Sequence, residues 1–390
     1  MHLIEVNDKN TVREFLDINA KINSINTAYI RPIDNEVNEV FDPEKNKLFK
    51  NGEAKRWILQ NDQSETIGRI AAFISSKYIN KGTDFSTGGF GFFDCINDQE
   101  AANTLFNKAK EWLLSKGAEA MDGPINFGDR DKWWGLLVEG FDNEPMYGMS
   151  FNQSYYESLF NNYGFKNYYN QYYYFMNVDD TFSEKILERH ARIKAKTDYS
   201  ARHAKINQIE KYAGDFTKVY NAAWAQHGEA KEITEENAIK LFKKMKPILD
   251  ERTIWFAYYK EEPIAMFINI PDLNQYFKHF NGKFGWKEKL QVLWMKWRGT
   301  NKQLTGLAFG VVPKYQALGI DSYIIQECGS FAQGKGWYNR YEMGWAGDWN
   351  PRMLNIYKSL GGYQSRRMIT FRYLFDQNRP FERHPDMIYK

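Results

Sequence analysis

One stretch of the chain, residues 304–322, limits the possible folds more than any other. Residues 304–312 are almost all apolar or small, which predicts a buried strand. Pro313 ends that strand, because proline has no N–H to give to a ladder. A short turn with Gly319 follows, and apolar residues then recur at helical spacing. A helix N-terminus presents unpaired N–H groups and a positive dipole end, so this strand–turn–helix unit is suited to binding a phosphate.

Two signatures in this part of the chain resemble those of the GCN5-related N-acetyltransferases, the GNAT superfamily. The family pattern is Val-x-Pro, then Gln or Arg, two residues, Gly, one residue and a small residue. The first signature matches it at five positions, in Val311-Val312-Pro313 and Gln316-Ala317-Leu318-Gly319-Ile320-Asp321. The second is the family's helix after the fifth strand, with its residues at the family spacing: Asn350, Met353, Tyr357 and Gly361. The resemblance implies an α/β fold (α+β, with a mixed sheet) that binds acetyl-CoA or another acyl-CoA as co-substrate.

The resemblance also implies roles for individual residues. Those expected to bind the cofactor are Val311, Val312, Gln316, Ala317, Leu318, Gly319, Ile320, Asp321 and Asn350. Tyr357 would protonate the departing CoA thiolate, and Glu342 is the expected general base, with Asp348 in reserve. The reaction implied is N-acyl transfer, in the first instance acetyl transfer, to a small-molecule or peptide amine.

Asp321 departs from the family pattern, which has a small residue at that position. A carboxylate directed at the pyrophosphate would repel it, whereas one directed outward from the first helical turn would be stabilised by the helix dipole. We expect the outward orientation. The simpler alternative for the whole stretch is a βαβα unit whose turn binds nothing.

The order of predicted elements repeats along the chain: helices, a hairpin, a strand, a helix, a strand, a helix and a last strand. A chain of 390 residues is long enough for two domains with their own cores. We therefore predict two tandem GNAT-like domains, residues 1–180 and 181–390. The first lacks Gln-x-x-Gly and has Asp94 and Asp98 around its matching turn, so we expect it not to bind CoA. The basic residues of 185–205 are expected to link the copies as a solvated helix face.

Composition excludes several classes of function. The formal net charge of +3 is too small to indicate nucleic-acid binding, and no DNA partner is expected. Two cysteines and scattered histidines form no metal-ligand spacing. The sequence shows no signal peptide and no apolar run long enough to span a bilayer, so we expect a cytoplasmic protein without a transmembrane segment. It makes no prediction about the oligomeric state.

Two further segments are candidates for binding the acceptor. Residues 126–151 form a long loop rich in Gly, Asp and Trp, which is either functional or packed between the two copies. Residues 276–302 interleave seven basic residues with aromatics, and Glu288 is their one acidic residue. That composition suits an anionic, partly apolar ligand, a membrane surface or stacked bases, while the simpler reading is an amphipathic helix with solvated lysines.

Two rival functions remain open. The paired fold and the basic, aromatic segment also fit an aminoacyltransferase similar to the Fem peptidyltransferases, which use charged tRNA, although the Val-Val-Pro and Gln-x-x-Gly residues favour CoA. A non-catalytic ligand-binding protein that kept the fold is the third possibility, since fold alone does not establish function.

Overall fold

The computed structural model describes residues 1–76, 78, 84–128, 130–224 and 232–387, so Asp129 of the predicted loop lies outside the described residues. The N-terminal half, residues 1–180, contains these elements: β1 (His2–Glu5), α1 (Lys9–Asn23), α2 (Asp34–Val40), β2 (Gly52–Gln60), β3 (Thr66–Ser75), β4 (Thr87–Cys95), α3 (Gln99–Ser115), β5 (Ala120–Gly123), β6 (Leu136–Glu139), α4 (Tyr156–Tyr163) and β7 (Lys166–Asn177). The C-terminal half, residues 181–390, contains these: α5 (Glu184–Lys194), β8 (Tyr199–His203), α6 (Ile209–Trp224), α7 (Glu235–Met245), β9 (Ile254–Tyr259), β10 (Glu262–Pro271), α8 (Asn274–Phe277), α9 (Trp286–Arg298), β11 (Gln303–Val311), α10 (Ile320–Ala332), β12 (Arg340–Gly347), α11 (Pro351–Ser359) and β13 (Tyr363–Leu374).

The strands of the described residues form one continuous mixed sheet. Its order is β1-β2-β3-β4-β5-β13-β7-β12-β11-β10-β9-β8, with β6 paired to β13 outside that path. The two halves repeat the same order of elements, which confirms the predicted α/β class and the tandem arrangement. Each half gives its last strand to the other: β7 lies beside β12, and β13 lies beside β5. The predicted boundary at residue 180 falls between β7 and α5 in the sequence, but β7 lies among strands of the C-terminal half.

In the C-terminal half both faces of the sheet are covered because both sides of its strands are apolar. Alternate residues of β9 and β10 belong to two separate buried clusters, one beneath α5, α10 and α11 and the other beneath α6 and α7. Both sides of these strands are therefore buried, as in a sheet with helices on its two faces. No helix in the described ranges is long and apolar enough to cross a bilayer.

The basic segment 185–205 belongs to the C-terminal half and forms no separate linker. Its residues Lys185, Arg192 and Lys194 are exposed on a helix, as the predicted solvated helix face requires. The segment forms α5 and the edge strand β8. Ile186 and Ile193 of α5 are buried in the C-terminal core. The imidazole Nε2 of His190 and the Nζ of Lys194 each lie 2.6 Å from Oε1 of Glu327 on α10. The basic residues thus accompany a packing face, and they bring α5 alongside α10.

Candidate active site

The sheet opens between β11 and β12. Their parallel pairing covers only Gln303–Thr305 with Arg340–Glu342. Beyond it β11 has one extra residue, Leu307, relative to β10, and β12 shifts register against β7. The sequence predicted a strand that is buried throughout. Leu307 is instead 51% exposed. We call the space between the two strands beyond this pairing the opening.

Tyr357 lies at the opening. Its hydroxyl donates a 3.0 Å hydrogen bond to the carbonyl oxygen of Met343 on β12. The side chain is buried, and that burial raises the pKa of the phenol well above its usual value. The hydroxyl is therefore protonated at neutral pH, which a group that donates a proton requires.

The turn before α10 has the shape that the sequence predicted. Ala317 and Gly319 have positive φ angles, +61° and +95°, and the Nε2 of Gln316 donates to the carbonyl oxygen of Val311 at 3.0 Å. Gly319 is the N-cap residue of α10, and no side chain caps this end of the helix. A Cβ on Gly319 would lie 3.3 Å from Nη2 of Arg192, so the close approach of α5 and the backbone angle both favour glycine. The first N–H groups of α10 thus lack a side-chain cap.

A groove of about 460 Å³ lies beside that turn. Lys185 and Arg189 of α5 and Arg352 of α11 line it, together with Asp321 of α10. We call it the basic groove. Asp321 is half-buried and lines this groove, and its predicted outward orientation stays a prediction. The sequence did not indicate the groove, because α5 is remote from the motif and reaches it only through its packing on α10.

Comparisons with known proteins support a tandem arrangement. A tandem GNAT protein from the clavulanic acid biosynthesis pathway superposes with a TM-score of 0.53 at 9% identity, over 98% of this chain and 99% of that one. The chain has the tandem GNAT fold. A GCN5-related glucosamine N-acetyltransferase region of a fungal multi-domain β-N-acetylglucosaminidase gives a TM-score of 0.54 at 10% identity, over 95% of this chain and 38% of that protein.

Sequence relatives are similar to the chain over nearly their whole length. A bacterial ceramide synthase from Caulobacter vibrioides is 25% identical over 371 residues, which cover 93% of this chain and 94% of that protein. No family model matches the chain. The comparisons thus establish the tandem GNAT fold and leave the substrate open.

Within the tandem GNAT fold, Glu342 is engaged in buried ion pairs. It is fully buried, its Oε1 lies 2.8 Å from Nη2 of Arg340, and its Oε2 lies 3.1 Å from Nη1 of Arg366. Both oxygens of this buried carboxylate are therefore engaged by guanidinium groups, which leaves it poorly placed to accept a proton from a substrate. Asp348, the reserve candidate, accepts hydrogen bonds from Asn170 at 2.7 Å and from Arg383 at 2.5 Å. The geometry favours a structural role for both carboxylates.

Asn350 caps α11. Its Oδ1 accepts a 3.1 Å hydrogen bond from the N–H of Met353, and Pro351 follows as the first helical residue. The amide thereby sets the start of the helix that carries Tyr357. Its predicted contact with the pantetheine remains a prediction.

Asp272 is a buried carboxylate that sequence reasoning missed. It follows β10 and accepts hydrogen bonds from the N–H of Tyr147 at 2.9 Å and from Nε2 of Gln303 at 3.0 Å. Burial, with a smaller contribution from the charge of Glu342, raises the pKa of Asp272 to about 6. Through Tyr147, it ties the loop of residues 126–151 to the C-terminal half. No motif surrounds Asp272, so only the three-dimensional contacts reveal it.

Proposed function

We propose that the C-terminal half transfers an acyl group from an acyl-CoA thioester to an amine. One observation carries the proposal: the opening with Tyr357 lies beside β11, and the uncapped N-terminus of α10 and the basic groove lie at the helix that follows that strand. An extended thioester with a phosphorylated end needs all three, because its diphosphate requires cations and its acyl end requires a protected cleft. The Val-Val-Pro and Gln-x-x-Gly residues around the turn before α10 favour CoA over charged tRNA.

The residues of this chain have separable tasks in that reaction. The edge of β11 that faces the opening, including Val311, would hydrogen-bond the pantetheine amides, and the turn from Gln316 to Asp321 would hold the diphosphate. Val312 would supply only a side-chain contact, because its N–H donates to the carbonyl oxygen of Ile264 at 2.9 Å and its carbonyl oxygen accepts from the N–H of Tyr315 at 2.8 Å. Lys185, Arg189 and Arg352 would neutralise its charge and offset Asp321. An acyl-CoA, when bound, supplies an activated carbonyl carbon.

The departing sulfur needs a proton, and in this proposal Tyr357 supplies it. A neutral amine attacks the carbonyl carbon, the C–N bond forms and the C–S bond breaks. Tyr357 gives its hydroxyl proton to the departing sulfur, and the proton released from nitrogen returns to the phenolate through solvent. We propose that Glu342 acts here only by fixing Arg340 and Arg366, and not as the general base.

We further propose that the amine is a long-chain lipid amine and that the acyl chain is long. The relative named bacterial ceramide synthase supports this choice over acetyl transfer to a small-molecule or peptide amine, because a ceramide is a fatty-acid amide of a long-chain amino alcohol. The exposed Leu307 at the opening gives an apolar contact for such a chain.

Turnover with matched substrates tests the proposal. The purified chain would be incubated with acetyl-CoA or palmitoyl-CoA and with sphinganine or ethanolamine, while thiol release and amide formation are measured. We expect the amide to form fastest with palmitoyl-CoA and sphinganine. Acetyl transfer to ethanolamine as the fastest reaction would reject the lipid assignment, and CoA binding without turnover on any pair would favour a non-catalytic protein.

A further inference from the structure

Helix α9 has an apolar face that no other part of the described chain covers. Five large side chains on it are between 53% and 79% exposed: Trp286, Leu290, Leu293, Trp294 and Trp297. At about 100° per residue, these positions fall within an arc of about 100° on the helix. A contiguous set of this kind differs from the scattered exposed leucines found on most proteins, and it indicates a contact surface.

The opposite face of α9 is fixed to the protein. Val292 is buried and Met295 is half-buried against the cluster that contains Leu273 and Phe277. The Nζ of Lys296 donates to the carbonyl oxygens of residues 247 and 249, at 2.7 and 3.0 Å. The helix is thus already packed on its own core, and its apolar face points away from that core.

Basic residues border the apolar arc on both sides. Lys287 and Arg298 follow one edge of the arc on the helix, and Lys289 lies beyond the other, all three exposed. Glu288 is turned toward the helix start, where its Oε2 accepts a 2.7 Å hydrogen bond from the N–H of Gly285. The border of the surface is therefore positively charged.

We propose that α9 docks on an anionic phospholipid surface, with the tryptophans and leucines in the interfacial layer and the basic border at the headgroups. Helices that lie in a membrane interface combine Trp and Leu on one face with Lys and Arg beside it. Tryptophan also concentrates at the membrane–water boundary. A protein partner fits less well, because lysine is depleted at protein–protein interfaces. The proposal does not depend on the catalytic assignment, although only residues 299–302 separate α9 from β11, so docking would place the active half at the lipid surface.

Vesicle cosedimentation of the full chain tests this surface. Vesicles of pure phosphatidylcholine would be compared with vesicles that contain about one third phosphatidylglycerol, at low and at physiological salt. We expect binding at least about tenfold tighter to the anionic vesicles, and weaker at higher salt. The double variant Trp286→Ser/Trp297→Ser should lose at least about tenfold in affinity, and Lys287→Gln/Lys289→Gln should reduce the preference for anionic lipid.

A matched control removes two exposed apolar side chains elsewhere. Leu114→Ser/Leu241→Ser changes residues on α3 and α7 that are 48% and 41% exposed, and it should bind vesicles as the unaltered chain does. Circular dichroism confirms that each variant is folded. Failure of the unaltered chain to bind anionic vesicles, or equal binding by the tryptophan variant, would overturn the proposal. A dimer in sedimentation analysis that the tryptophan variant abolishes, without vesicle binding, would reassign the face to self-association.

Discussion

The two halves differ in the space between the fourth and fifth strands of each, which are β4 and β5 in the N-terminal half and β11 and β12 in the C-terminal half. In the N-terminal half, β4 and β5 pair at Thr87–Gly89 and Ala120–Asp122, and the N–H of Ile125 then donates to the carbonyl oxygen of Phe90 at 2.7 Å. That bond continues the contact between the strands. In the C-terminal half the corresponding space is the opening, where the hydroxyl of Tyr357 lies.

The helices that follow also begin differently. Asp98 caps α3 with its own carboxylate, which accepts a 2.8 Å hydrogen bond from the N–H of Ala101. Gly319 leaves α10 without a side-chain cap, and Arg189 and Arg192 lie beside it. The first helix thus satisfies its own donors with a negative charge, while the second leaves its donors available next to positive charge.

The later helices complete the contrast. Phe160 and Tyr357 each precede by four residues a glycine with positive φ, Gly164 and Gly361. Phe160 is fully buried and packs against Phe90 with a ring-centroid distance of 5.9 Å. The two halves of one repeated fold thus differ in their opening and in their helix start through small local features: one backbone hydrogen bond, one capping carboxylate and one phenylalanine.

Tyr357→Phe gives the C-terminal half the residue type found in the N-terminal half, and it should have the largest effect. We expect turnover to fall by about 10²–10⁴-fold, because the departing thiolate loses its proton donor. CoA affinity should change little, so kcat and kcat/KM should fall together. Steady-state kinetics with calorimetric CoA binding checks this, with Tyr363→Phe on the exposed surface as control. Unchanged kcat would remove Tyr357 from the mechanism.

Two buried carboxylates, one in each half, should respond differently to conversion into amides. Asp94 forms a 2.7 Å ion pair with Arg69, both buried, whereas the hydrogen-bond donors to Asp272 are neutral amides. Asp94→Asn leaves a buried guanidinium without its partner and should cost about 3–5 kcal/mol of stability at pH 7. Asp272→Asn should be nearly neutral near pH 4, where the amide resembles the protonated acid that burial favours, and it should be more stable than the unaltered chain at pH 7.

The pH dependence sharpens that comparison. Burial raises the pKa of Asp272 from 3.8 to about 6. Its protonated form contributes stability that is complete below pH 3.8 and is lost as the pH rises through 6. Between pH 4 and 7, the free energy of unfolding of Asp272→Asn should therefore rise relative to that of the unaltered chain by on the order of 2 kcal/mol. Denaturation across this range measures the gain, and a difference that stays constant with pH would contradict it.

Gly319→Val tests the uncapped helix end. A β-branched residue is strained at φ +95°, and its side chain would meet Arg189 and Arg192. We expect CoA affinity to fall at least about tenfold in calorimetry. Gly334→Val is the matched control, since Gly334 has φ +70° beyond the other end of α10 and a Cβ there meets nothing within 4 Å. Equal loss of affinity in both variants would indicate general destabilisation instead.

The smallest effect is expected for Asp321→Ala. The carboxylate lies in the basic groove among three cations and in the first turn of α10, so its charge is offset on both counts. CoA affinity should stay within about twofold in the same titration. A tenfold gain, about 1.4 kcal/mol, would show that Asp321 repels the diphosphate and would favour the non-catalytic alternative.

Local sequence patterns predicted the tandem fold and the turn before α10. They succeeded because Pro313, Gly319 and the apolar periodicities each determine the conformation of residues that are close in the sequence. They did not predict the exchange of β7 and β13 between the halves, since strand pairing of this kind depends on contacts between distant parts of the chain.

The rest of the candidate site was missed for the same reason. The basic groove needs α5 to pack on α10, and the pairing of Glu342 needs Arg366 from the strand that follows α11. Asp272 is conspicuous only when its burial is known. Residue types therefore indicated the turn before α10, while the fold decided which carboxylates are paired.

Calorimetric titration of the full chain with CoA tests the difference between the two halves most directly. We expect one site per chain, lost in Gly319→Val and retained when Asp98→Ala removes the cap of α3. Two equal sites per chain, or a single site that survives Gly319→Val and responds to changes around Asp98, would contradict it.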